Sequence, residues 1–80
     1  MTSSIIVRAE WDKEAGAWVA TSEDVPGLAT EAETLEALRQ KLQVMIPELI
    51  EANGLDFDLA EIPLHILTHQ MDRVHNPRAT

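Results

Sequence analysis

The sequence predicts an α+β domain, a mainly antiparallel sheet with one long helix on one face, and three observations carry that expectation. Residues Ile5 to Ser22 hold two strand-like stretches around a glycine loop. Residues Thr34 to Asn53 repeat apolar side chains at three- and four-residue intervals, and Ile62 to His69 alternates again. With a short strand after the Val25-Pro26-Gly27-Leu28 turn, the element order is β-β-β-α-β. One helix covers only one face of such a sheet.

The first strand is predicted over Ile5 to Asp12, with Ile5, Val7, Ala9 and Trp11 on one side and Ile6, Arg8, Glu10 and Asp12 on the other. Lys13-Glu14-Ala15-Gly16 is a polar loop whose glycine can take positive φ, and Ala17 to Ser22 returns as the second strand. Its two faces, Trp18-Ala20-Ser22 and Ala17-Val19-Thr21, are equally plausible core faces on sequence alone. Trp11 and Trp18 lie on the two strands of one hairpin, as cross-strand neighbours would, and are large anchors for core or interface.

Pro26 fixes φ and Gly27 accepts the positive φ that a type II turn asks of its third residue, so the chain reverses there into a third strand over Leu28 to Thr30. The helix follows. Leu35, Leu38, Leu42, Met45, Leu49 and Ala52 form its apolar stripe, widened by Ile46 and Ile50. Glu33 and Thr34 suit its start, Glu36 complements its dipole, and Asn53-Gly54 is a stop signal. Pro47 removes a backbone donor, and the expectation is a kink or a split into 34–46 and 47–53.

An acidic connector, Leu55 to Glu61, leads to the last strand, Ile62 to His69, where Pro63 points to an edge position or a strand start. From Met71 to Thr80 the chain is polar and aperiodic. The expectation is one domain over residues 1–70 and a disordered tail over 71–80.

Charge narrows the partners. Six Lys and Arg stand against fourteen Asp and Glu, a formal charge of −8, and thirteen of the acids lie between Glu10 and Glu61 with only Lys13, Arg39 and Lys41. Phosphate backbones and anionic membranes are repelled by such a segment, whereas a cationic protein is attracted. No cysteine is present, which removes disulfides, thiolate chemistry and Cys-ligated metals. The Met1-Thr2-Ser3-Ser4 start is not basic, and the Ile5-Ile6-Val7 run is too short for a signal peptide, so a cytoplasmic location is expected.

Enzymatic signatures are missing from the pattern. His65 and His69 sit on a predicted strand, where four residues span about 13 Å and cannot share one ion. The acids fall mostly in loops, as turn formers do; Thr21 and Ser22 have no adjacent base, and no glycine-rich phosphate loop exists. No catalytic, metal or cofactor-binding residue is therefore assigned, and no cofactor is expected.

Gly16, Trp18 and Ala20, then Asp24, Pro26 and Gly27, then Thr34 and Leu38 opening a helix, together resemble the HicB antitoxin pattern. Trp11-Asp12, Glu14-Ala15, Trp18-Val19-Ala20-Thr21-Ser22 and Ile46-Pro47-Glu48-Leu49 resemble more closely a short bacterial HicB-like family known only as a domain of unknown function. The resemblance spans residues 5–69. It implies a partial RNase H-like fold with strand order 3-2-1-4. It also implies binding to a small basic HicA-like toxin, an mRNA-cleaving protein whose active site HicB proteins block. The likeness to RNase H is of fold only. About ten residues follow the last strand, fewer than a DNA-binding helix-turn-helix or ribbon-helix-helix needs, so direct DNA binding is not expected.

The expected function is thus a non-catalytic protein-binding domain. Its partner-binding residues are expected among Asp12, Glu14, Trp18, Glu23, Asp24, Pro26 and Gly27. The alternative is a self-associating accessory or ligand-sensing domain. A homodimer or higher oligomer is expected on either reading, because the uncovered sheet face carries Ile6 and Leu67 among polar residues.

Overall fold

The structure, a computed structural model, describes residues 4–79. Strands β1 (Ile5–Asp12), β2 (Ala17–Thr21), β3 (Ala29–Ala32) and β4 (Leu64–His69), with helix α1 (Leu35–Asn53) between β3 and β4, follow one another as the periodicities predict. The four strands form one sheet of order β3-β2-β1-β4. β2 pairs antiparallel with β1 and with β3, while β4 lies parallel to β1 from Ile5↔Leu64 to Glu10↔His69. The two edge strands β3 and β4 are therefore parallel to one another, and α1 is the crossover that joins them.

The core lies between α1 and one sheet face. Ile5, Val7 and Ala9 of β1, Ala20, Val25, Leu28 and Ala32 meet Leu38, Leu42 and Ile46 of the helix. The register Ala9↔Ala20 and Trp11↔Trp18 settles which face of β2 turns inward: the one bearing Trp18 and Ala20. On the helix, Leu35 is 40 % exposed and Ala52 is exposed, whereas Ile46, expected at the flank, is buried. Phe57 and Ile62 of the connector pack against the core, and Ile62 lines one cleft with Ile46.

Three local expectations are corrected. β3 spans Ala29–Ala32 rather than Leu28 to Thr30, because the Leu28 N–H is used to close the turn onto the Val25 carbonyl at 3.1 Å. β4 starts at Leu64 rather than Ile62; Pro63 lacks an N–H and contributes only its carbonyl, which accepts from Ile5 N–H at 2.9 Å. Of the kink or split expected at Pro47, the split does not occur: the helix runs unbroken from Leu35 to Asn53. Pro47 and Gln43 are both exposed residues, on the outer part of the helix where a missing backbone donor is least costly.

The helix ends are capped by side chain and backbone. Thr34 Oγ1 accepts from Ala37 N–H at 3.0 Å, and Gly54, at φ 61°, donates to the Glu51 and Ile50 carbonyls.

Candidate functional site

Asp12 closes β1 and its side chain builds the loop that follows. Its Oδ1 accepts from the N–H groups of Glu14, at 3.0 Å, and Ala15, while the Gly16 N–H returns to the Asp12 carbonyl at 2.8 Å. Gly16 has φ 63°, which is why the loop turns at a glycine. Behind the loop the two tryptophans meet edge to face, with ring centroids 5.4 Å apart and planes at 62°. Both are half-buried, and Trp18 packs against the core.

This end of the hairpin carries a shallow depression of about 480 Å³ lined by Glu10, Trp11, Asp12, Lys13, Glu14 and Val19. Three carboxylates, with Lys13 beside them, around an open concavity suit a cationic side chain through charge. Glu10 belongs to this surface although it was not among the expected binding residues. Its place is readable in the alternation of β1, which sets Glu10 beside Asp12 on the face away from the helix.

Glu23, Asp24, Pro26 and Gly27 lie elsewhere. They occupy the connection from β2 to β3, beside the start of β1, so about 20 Å of strand separates them from the hairpin loop. The seven expected residues thus form two groups, with Asp12, Glu14 and Trp18 together at one end. In the second group, Gly27 has φ 85° at the third position of the turn, and Asn53 Nδ2 donates to the Pro26 carbonyl at 3.1 Å, tying the turn to the helix end. Glu23 is exposed and free to meet a partner, whereas Asp24 is engaged with the backbone of β1.

Among the described residues no polar or charged side chain is buried, and no three of His, Asp or Glu converge to hold a metal ion. His65 and His69 are exposed along β4. No helix among the described residues is long and apolar enough to cross a membrane.

Of the comparisons with known proteins, one solved structure bears on the fold, and none states an activity. Among curated proteins, none matches the chain significantly. A crystal structure described as hypothetical protein TTHA1013, from the extremely thermophilic bacterium Thermus thermophilus, is similar at 51 % sequence identity. The match covers 91 % of this chain and 99 % of that one, with a TM-score of 0.68. The sequence profile of a family described as Domain of unknown function (DUF1902) matches residues 4–76, nearly the whole chain. The chain belongs to the DUF1902 family.

Proposed function

We propose that this protein is a non-catalytic, HicB-like protein-binding domain that neutralises a small basic partner of the HicA-like, mRNA-cleaving kind. The observation that carries this reading is the state of its carboxylates. Of fourteen acids, only Glu36 is in a salt bridge among the described residues, with Arg39 at 3.1 Å. A net charge of −8 left so largely uncompensated speeds encounter with a cationic protein and repels nucleic acid.

The hairpin end supplies the contact surface. Glu10, Asp12 and Glu14 line the depression and outnumber Lys13, so a basic side chain entering it meets a net negative surface. The HicB-like motif resemblance and the strand order β3-β2-β1-β4 that it implies support the same assignment.

Co-expression tests the proposal. A small basic protein encoded by an adjacent reading frame should arrest growth when expressed alone, and this chain should relieve the arrest. Arrest unrelieved by the chain, or the lack of any such neighbouring frame, argues for the accessory or ligand-sensing reading instead.

A further inference from the structure

The geometry points to a two-fold homodimer in which residues 71–79 of each copy form an arm that docks in an apolar cleft of the other copy. This inference does not rest on the basic partner, and its test uses this chain alone.

The cleft lies between α1 and the β4 side of the sheet. It has a volume of about 410 Å³; Ile46, Pro47, Ile50, Ala60, Ile62 and Leu64 give it apolar walls, and Gln43 and Glu61 a polar rim. It exists because α1 lies closest to β3 and β2, leaving the inward-facing Leu64 and Ile66 of β4 only half-buried.

The arm has the matching chemistry. Met71 is 61 % exposed and Val74 is 91 % exposed, and between and beyond them stand Arg73, His75 and Arg78 with one acid, Asp72. The rest of the chain holds thirteen acids against Arg8, Lys13, Arg39 and Lys41. An apolar, cationic segment is thus joined to an acidic body with an apolar cleft. Yet the arm does not fold onto its own body: the molecule measures 56 × 24 × 18 Å with a radius of gyration of 15.9 Å. A compact chain of this length has a radius of gyration of about 12 Å. The family profile runs through residue 76, so most of the arm lies within the matched domain.

Direction selects a second copy as the occupant. The arm leaves from the His69 end of β4, whereas the cleft opens at the Leu64 end, about 17 Å back along the strand. Reaching its own cleft would require the arm to reverse. β4 is an edge strand, and a two-fold axis beside it sets the two β4 strands antiparallel. The His69 end of one copy then lies at the Leu64 end of the other, and each arm arrives at its partner's cleft.

The full chain should sediment at twice its 8.9 kDa mass at micromolar concentration. Truncation after Gln70, and Val74→Asp separately, should raise the dimer dissociation constant about tenfold or more, the worth of one buried valine. The arm lies outside the core, so circular dichroism should show both variants folded. The chain has no native cysteine, so a double variant, Val74→Cys with Ala60→Cys, reports the contact directly. Mild oxidation should convert it to a covalent dimer. A monomeric mass for the full chain, a disulfide closed within one chain, no disulfide at all, or a dimer indifferent to truncation overturns the inference.

Discussion

Asp24 holds the start of β1 from 18 residues away: the Ile6 N–H donates to Asp24 Oδ2 at 2.8 Å. The Ile6 carbonyl on the same side accepts from Ser22 Oγ at 2.6 Å, and the Asp24 N–H donates to that Oγ at 3.1 Å. β2 ends at Thr21, paired with Arg8, so on that side Ile6 has no residue of β2 opposite it. Two side chains therefore take the place of the missing rung. The acid of the Asp24-Val25-Pro26-Gly27 segment closes the sheet where the chain leaves it.

Asp24→Ala and Ser22→Ala should each lower stability by about 1 kcal/mol, the net worth of a hydrogen bond. Because both serve one backbone residue, the double variant should cost less than the sum. Urea unfolding of the four chains measures this. Full additivity would show that the two side chains act independently.

Gly27→Ala should destabilise by about 1–2 kcal/mol, since φ 85° is left-handed backbone that a Cβ disfavours. A Cβ there would sit 3.8 Å from Leu49, an ordinary contact, so the cost is conformational rather than steric. An unchanged urea midpoint would contradict that assignment.

Leu42→Ala should cost about 2–5 kcal/mol because Leu42 is fully buried beneath the sheet. Val44→Ala, on the outer side of the same helix at 61 % exposure, should stay within about 0.5 kcal/mol. Similar losses at the two positions would place the helix wrongly.

Most of this architecture is legible in residue order. The alternation of Ile5, Val7 and Ala9, the Pro26-Gly27 turn, the Thr34 cap and the Gly54 stop each have a local cause, and each lies where that cause puts it. What depends on neighbours distant in sequence is not legible. Ala17, Val19 and Ala20 do not declare a core face; pairing with β1 decides it. Ile46 is buried in the core, with Ile62 of the distant connector lining the same cleft. The acids near Asp12 and those near Asp24 look adjacent when read as two loops of one hairpin region, yet the length of β1 holds them apart. The cleft beside Pro47 has no signature either, since its walls come from the helix, the connector and β4.

Incubated with RNA, the purified chain should leave it intact, with or without magnesium. Cleavage abolished by one carboxylate substitution would replace the protein-binding account with a catalytic one.

The most direct test is a calorimetric titration of this chain with a small basic protein from an adjacent reading frame, the partner proposed above, at about 0.05 M and about 0.5 M salt. The account predicts binding that weakens about tenfold or more at the higher salt, and again when Asp12 and Glu14 are changed to Lys. No binding, or an affinity indifferent to salt and to Asp12→Lys with Glu14→Lys, would contradict it.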